Sequence, residues 1–253
     1  MTEVPDIRQP GSTVTGEAKG CSLHSLVVPL RSHYQDALTT IIKADCLQAL
    51  AEMESESVDV VVTDPPYGTK TDQRETFMVG EFSNIMPLVL PQLFRVLKPD
   101  GAFYCFTSWS MMSDWLLRYQ QYFKLQNIIV WDKERHSGCY SSQSWQFTWE
   151  GIFYGIKGKR PIRKYQRDVL RSVEGGKRVA MQKPVDVVMA LLESSADKNS
   201  VILDPFAGSG STLVAAKRMG MKSIGIEINE QYAELAARRC AQEMVLGEER
   251  HNA

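Results

Sequence analysis

Val58-Asp59-Val60-Val61-Val62-Thr63-Asp64-Pro65-Pro66-Tyr67 is the stretch on which the reading of the fold turns. Its first six residues are mostly apolar and β-branched, the pattern of a buried strand. The four that follow stand just past the carboxyl end of that strand, where open α/β sheets place their ligands. Asp64 offers carboxylate oxygens that accept hydrogen bonds. Pro65 has no N–H and contributes a carbonyl acceptor on a stiff backbone. Pro66 biases Pro65 toward an extended conformation, which holds that carbonyl in place. Tyr67 adds an aromatic face. Two acceptors beside a ring suit the capture of an exocyclic amino group on a flat base. The plainer alternative is a strand-to-loop turn with a surface Asp and two rigid prolines.

A second strand-turn-helix signal lies far downstream. Val201-Ile202-Leu203 reads as a short strand, Asp204-Pro205-Phe206-Ala207-Gly208-Ser209-Gly210-Ser211-Thr212 as a glycine-rich turn, and Leu213 to Arg218 as the start of a helix. Gly208 and Gly210 let the backbone approach a ligand and adopt dihedrals that other residues avoid. Lys222 to Ile226 then reads as a further strand, ending in Glu227, whose carboxylate suits the two hydroxyls of a ribose. A phosphate-binding P-loop requires a Lys before the Ser/Thr, and Gly210 stands there instead. A dinucleotide fingerprint requires a third glycine where Leu213 stands. A nucleoside cofactor without a pyrophosphate fits the residues better, and S-adenosylmethionine is such a cofactor.

The pairing of these two motifs resembles the amino-group DNA methyltransferases. Their order, catalytic motif before cofactor motif, resembles the beta group, a circular permutation of the usual methyltransferase arrangement. Three further stretches are similar to that family. Ala44-Asp45-Cys46-Leu47-Gln48-Ala49-Leu50 resembles its acidic segment at the cofactor adenine, with Ala44 where glycine is common. Met181-Gln182-Lys183-Pro184 resembles the segment that helps hold the methionine end. Ile128 to Lys133 resembles a strand with an aromatic residue near the target base. The resemblance covers roughly Thr39 to Arg239. It implies a site-specific DNA methyltransferase using S-adenosyl-L-methionine and flipping its target base from the duplex. Asp64, Pro65, Pro66 and Tyr67 would be catalytic. Asp45, Cys46, Lys183, Glu227 and the turn Asp204, Pro205, Phe206, Ala207, Gly208, Ser209, Gly210, Ser211 and Thr212 would hold the cofactor. An Asp opening the catalytic motif usually accompanies adenine methylated at N6, and Ser usually accompanies cytosine methylated at N4. Adenine is therefore the expected target and cytosine the alternative. RNA or protein amine methylation, and a non-catalytic DNA-binding relative, are the readings from other classes.

Charge adds a candidate DNA face. The formal net charge is -1, so the chain as a whole has no strong pull on a polyanion. Yet Lys157, Lys159, Arg160, Arg163, Lys164, Arg167, Arg171, Lys177 and Arg178 crowd one interval, with Tyr165 among them. Such a cluster is a candidate phosphate-contacting face, and a solvated charged loop is its alternative. In the resembling family this interval carries target recognition, so an insert at about 157–180 is expected. Residues 1–38 read as a polar N-terminal arm and 39–253 as the methyltransferase domain.

No apolar run approaches the ~20 residues of a membrane helix, and the first twenty residues lack a signal-peptide pattern. The five cysteines are scattered with no C-x-x-C pair, which argues against a zinc site and fits free thiols. A cytoplasmic protein of a prokaryotic or phage-infected cell, without metal or membrane partner, is expected. A homodimer and a partner nuclease are compatible with the resemblance to restriction-modification enzymes.

The remaining segments alternate. Leu38–Lys43, Ala102–Thr107, Asn127–Trp131 and Ile152–Ile156 read as strands. Leu47–Met53, Asn84–Leu97, Ser113–Tyr122, Val185–Leu192 and Gln231–Met244 read as helices. Lys98-Pro99-Asp100-Gly101 is a turn signal. Gly68–Gly80 and His136–Gln146 read as long polar loops at a base pocket or DNA groove. The alternation predicts an α/β fold, Rossmann-like and circularly permuted, with a mostly parallel sheet covered by helices on both faces. The Asn127 and Ile152 strands have no helix between them, which predicts an antiparallel edge.

Overall fold

The computed structural model describes residues 32–66, 85–134, 145–172 and 182–251. In chain order the elements are β1 (Ser32–Gln35), β2 (Thr39–Lys43), α1 (Cys46–Glu52), β3 (Val58–Thr63), α2 (Ile85–Val96), β4 (Leu97–Thr107), α3 (Met112–Tyr119) and β5 (Lys124–Asp132). They continue with β6 (Trp149–Ile156), β7 (Val169–Arg171), α4 (Val185–Ser195), β8 (Val201–Asp204), α5 (Ser211–Arg218), β9 (Lys222–Glu227) and α6 (Glu230–His251). Among the described residues, nine strands form one sheet in the order β1-β2-β9-β8-β3-β4-β6-β5-β7.

Strands β2, β9, β8, β3 and β4 run parallel to one another. Their residues alternate between two cores, as period-2 geometry demands. Val60, Val62, Tyr104 and Phe106 pack against α4, α5 and α6. Val61, Phe103 and Cys105 face α1, α2 and α3 on the other side. The α/β expectation therefore holds, with helices on both faces of a mostly parallel sheet.

Two strands break the parallel pattern. β6 is antiparallel to both β4 and β5. The expected antiparallel pairing is present, but β6 lies inside the sheet, because β5 and then the short β7 continue beyond it. At the other margin β1 pairs antiparallel with β2, so Ser32–Gln35, read from sequence within the arm, belongs to the sheet. The turn at Lys98–Gly101 becomes a bulge within β4. Its register with β3 passes from Val58–Leu97 to Val60–Ala102, and Asp100 takes a positive φ of 62° to allow it.

Connections from β3 lead to β4 on one side, while β8 leads to β9 on the other. The sheet therefore reverses its winding between β3 and β8, the position where open α/β sheets form a ligand crevice. The catalytic and glycine-rich motifs follow these two strands.

Close packing behind the site rests on a glycine. Tyr119 stacks on Phe103 with ring centroids 5.0 Å apart and donates its hydroxyl to the Phe103 carbonyl at 2.6 Å. A Cβ on Gly155 would stand 2.6 Å from the Tyr119 ring and hydroxyl. Gly155→Ala should lower unfolding free energy by ~1–3 kcal/mol, the scale of core overpacking. Urea denaturation followed by circular dichroism would measure it, and an unchanged midpoint would show that Tyr119 is free to move aside.

Candidate active site

Parallel strands deliver their carboxyl ends to one edge. Along that edge stand Asp45 after β2, Glu227 at the end of β9, Asp204 at the end of β8, Asp64 after β3 and Thr107 at the end of β4. Because β6 is antiparallel, its first residues arrive at the same edge, with Gly151 opposite Thr107 and Trp149 opposite Asp132. Glu150 thereby joins a row of acids built from strands of the opposite direction.

The glycine-rich turn has the conformation its residues foretell. Gly208 and Gly210 have φ of 51° and 81°, both left-handed. A Cβ on Gly208 would find nothing nearer than the Phe206 carbonyl at 3.9 Å, so its backbone shape, not crowding, requires glycine. A Cβ on Gly210 would come within 2.8 Å of Ala236 in α6. Gly210 caps α5. Arg239 of α6 clamps the turn, donating to the Ser209 carbonyl at 2.5 Å.

Glu227 closes the turn from the β9 side. The Gly208 N–H donates to its Oε2 and the Asn229 N–H to its Oε1, both at 2.8 Å. Burial raises its pKa, against the pull of these N–H donors. A carboxylate has about four acceptor positions, so two donors leave room for a diol. The exposed side chain of Ile228 follows it, an apolar surface beside the turn that the sequence reading passed over. Across the gap, Asp45 Oδ1 caps α1, accepting from the N–H groups of Leu47 and Gln48 at 2.9 and 3.2 Å. Cys46, one residue on, is buried. An acidic rim, an apolar neighbour and a backbone cradle fit a cationic nucleoside.

Asp204 is buried beneath this cradle, 4% exposed. Thr63 Oγ1 donates to its Oδ1 at 2.9 Å and the Phe206 N–H at 3.1 Å. These bonds tie the end of β3 to the start of the turn. Burial nevertheless dominates and pushes the Asp204 pKa up to about 7.

Asp64 and Pro65 lie where the sequence reading put them, with Pro65 buried and Asp64 partly so. What sequence did not foresee is their support. Lys183 Nζ lies 2.5 Å from Asp64 Oδ2 and 3.1 Å from Glu150 Oε2, with its side chain 8% exposed. Lys133, on the far side of Glu150, lies 2.6 Å from its Oε1. Burial opposes the charge on Lys183, but the pull of Asp64 and Glu150 outweighs it and raises its pKa. Lys183 was expected at the methionine end of a cofactor; its ammonium is instead seated between two carboxylates. Its backbone carbonyl accepts a hydrogen bond from Ser211 Oγ at 2.8 Å, so one residue joins the glycine turn to the catalytic motif. Trp131, expected near a target base, is a core residue with its indole N–H donating to the Ser172 carbonyl. Tyr67 lies outside the described residues, as do Lys177 and Arg178, the segment 68–80, and 136–144 of the second loop.

The basic cluster is partly spent inside the fold. Lys157 donates to the carbonyls of Phe94 and Leu97. Arg160 donates to those of Asp100 and Ser195. For these two the phosphate-facing expectation gives way to a bracing role, because their donors hold β4 and α4 together. Arg163 pairs with Asp197, Lys164 with Glu193 and Arg171 with Asp132, and these three basic side chains are exposed. Lys159, Tyr165 and Arg167 are exposed as well.

Comparison with known proteins agrees with this geometry. A family model described as DNA methylase (N6_N4_Mtase) matches residues 58–238. The putative methylase YubD of Escherichia coli K12 is 30% identical over 211 residues, covering 81% of this chain and 91% of its own length. The type II methyltransferase M.HinfI of Haemophilus influenzae is 25% identical over 255 residues, covering 83% and 70%. The solved structure of a DNA modification methylase from Thermus thermophilus, complexed with S-adenosyl-L-methionine, superposes with a TM-score of 0.63. It is 26% identical and covers 79% of this chain and 93% of that one.

The raised pKa of Asp204 has a signed consequence. Its folded value lies above its unfolded one, so between about pH 4 and 7 the folded state keeps a proton that the unfolded state has released. That contribution to stability is present in mild acid and lost as pH rises through 7. Asp204→Asn cannot titrate, so its stability relative to wild type should rise by ~2–3 kcal/mol between pH 5 and pH 8. Urea unfolding at the two pH values tests this, and a constant difference would mean that Asp204 ionises as an ordinary carboxyl.

Proposed function

The chain belongs to the beta group of amino DNA methyltransferases, and from that premise we propose that it methylates the N6 amine of adenine in DNA. What carries the reading is the Asp64-Pro65 pair at the crevice between β3 and β8, seated by Lys183 beside the glycine turn. The Asp opening the motif is what favours adenine over cytosine, as the family tendency goes.

Bound S-adenosyl-L-methionine supplies an electrophilic methyl group on a sulfonium. Glu227 would accept the ribose hydroxyls, Ile228 would cover one face of the adenine, and the turn from Phe206 to Ser211 would support the remainder. The target amine is a poor nucleophile, because its lone pair is delocalised into the base. The Asp64 carboxylate and the Pro65 carbonyl would accept one amine hydrogen each and draw the nitrogen toward a tetrahedral shape. The lone pair is then free to point at the methyl. The protein's contribution is orientation and fixed charge. An amine paired within a duplex has to leave the stack, at a cost of a few kcal/mol. Stacking on Tyr67 would return ~1–3 kcal/mol of this.

For DNA contact we propose the exposed part of the expected insert at about 157–180, where Lys159, Tyr165 and Arg167 face solvent. Arg163 and Lys164 would exchange their carboxylate partners for phosphates at little cost, since exposed ion pairs are worth ~0–1 kcal/mol.

Digestion of methylated DNA and RNA to nucleosides, followed by mass spectrometry, tests the assignment. N6-methyladenine in DNA alone is the expected product. N4-methylcytosine would overturn the base assignment, and modification confined to RNA would overturn the substrate. Asp64→Ala should abolish turnover while leaving the cofactor Kd within a few-fold, since its carboxylate is assigned to the amine. Glu227→Ala should weaken cofactor binding by ~1.5–3 kcal/mol, the scale of hydrogen bonds to a charged group. Calorimetric titration with S-adenosyl-L-methionine reads both, and exchanged phenotypes would exchange the two roles.

A further inference from the structure

Lys183 is the centre of a chain of alternating charge. From β5 inward it runs Lys133, Glu150, Lys183, Asp64, with successive separations of 2.6, 3.1 and 2.5 Å. The side chains of Lys133, Glu150 and Lys183 are 20%, 15% and 8% exposed. Four elements supply the groups that face Lys183 or its partners. Asp64 comes from the end of β3, Glu150 from β6, Lys133 from the end of β5, and the Phe106 ring, 5.5 Å from the ammonium, from β4. Asp204 at the end of β8 and the buried Cys105 thiol also act electrostatically with Asp64.

A buried ion of this kind is expensive unless its partners are fixed. Were Asp64 the sole partner of Lys183, each would determine the other's place, and the carboxylate would follow every rotamer of a long flexible chain. Glu150 removes that freedom. It sits on a strand held on both sides, by β4 and β5, and is itself braced by Lys133. With the lysine carbonyl tied to Ser211, both ends of the Lys183 side chain are anchored. Asp64 is then presented from a fixed cation.

We propose that Glu150 is a positioning residue for methyl transfer. It acts through Lys183 to hold the Asp64 carboxylate at the amine. The proposal rests on the assignment of Asp64 to the amine, so its test runs beside Asp64→Ala. Glu150→Gln keeps size and hydrogen bonding but removes the charge; Glu150→Asp keeps the charge but shortens its reach. Turnover at saturating DNA and cofactor is measured for all three, with cofactor Kd, thermal midpoint, and the Lys183 ammonium resonance in 15N-lysine-labelled protein as pH is raised.

Glu150→Gln should lower kcat roughly 10- to 100-fold, the range for a small misplacement of a reacting group. Cofactor Kd and the KM for DNA should stay within about 3-fold, in contrast to the drop in kcat. Its Lys183 ammonium signal should vanish at a lower pH than in wild type, because one of the two anions that keep it protonated is gone. Glu150→Asp should lower kcat less, with the ammonium signal persisting as in wild type. This second variant keeps the test alive if the first does not fold. Inactive Asp64→Ala together with wild-type kcat in a folded Glu150 variant would overturn the positioning role and spare the Asp64 assignment. Active Asp64→Ala would overturn the assignment itself. A collapse in cofactor binding with normal saturated turnover would place Lys183 and Glu150 in the cofactor's service and overturn the proposal.

Discussion

Concentrated negative charge governs this structure. Alignment of five strands sends Asp45, Glu227, Asp204 and Asp64 to one edge, and β6 adds Glu150 from the opposite direction. Carboxylates this close to one another and this deeply placed do not all stay ionised without help. The molecule answers at each position differently. Asp45 spends its charge on helix N–H groups, and Glu227 takes backbone donors from the turn it closes. Asp204 rises toward neutrality under burial. Asp64 and Glu150 share Lys183. Residual negative potential at the rim suits a ligand that carries a sulfonium, and a favourable field of this kind also speeds capture.

Local chemistry was readable from residues where it depends on neighbours in sequence. The run Val58–Thr63 had to be a strand, and Gly208 with Gly210 had to form a left-handed turn, because few other backbones accept those residues. Asp64, Asp204 and Glu227 could be placed at strand ends for the same reason. What failed was anything set by pairing across the sheet. Glu150 belongs to the site only because β6 runs against its neighbours, and nothing within Trp149–Ile156 announces that direction. Ser32–Gln35 gave no sign of a strand because its stability comes from β2 and not from its own composition. Lys157 and Arg160 looked like members of a basic face, since a sequence lists their charge and not the carbonyls that consume their donors. Lys183 was flagged by its motif, but its partners come from residues 64 and 150, far away in the chain.

The same division explains why the binding half of the site is defined by backbone and the reacting half by side chains. Gly208, Gly210 and the helix they lead into form a cradle whose shape is written locally. Asp64 is held by contacts that span much of the chain. Thr63 and Ser211 couple the two, one through Asp204 and the other through the Lys183 carbonyl. A ligand settling in the turn therefore presses on groups that are one or two bonds from the carboxylate at the amine.

Interleaving of the sheet also shapes how the chain must acquire its structure. β8 and β9 enter between β2 and β3, with Thr39 paired to Ser223 and Val60 to Ile202. During synthesis β2 and β3 therefore leave the ribosome with two unpaired strand margins, both apolar, facing a gap. That gap stays open until β8 and β9 have been made, as expected of pairings so distant in sequence. Open margins are templates for pairing with other chains. Slow translation, high expression or loss of β8 and β9 should thus expose this protein to aggregation more than its modest hydrophobicity implies, and a chaperone that shields strand edges would be the natural remedy.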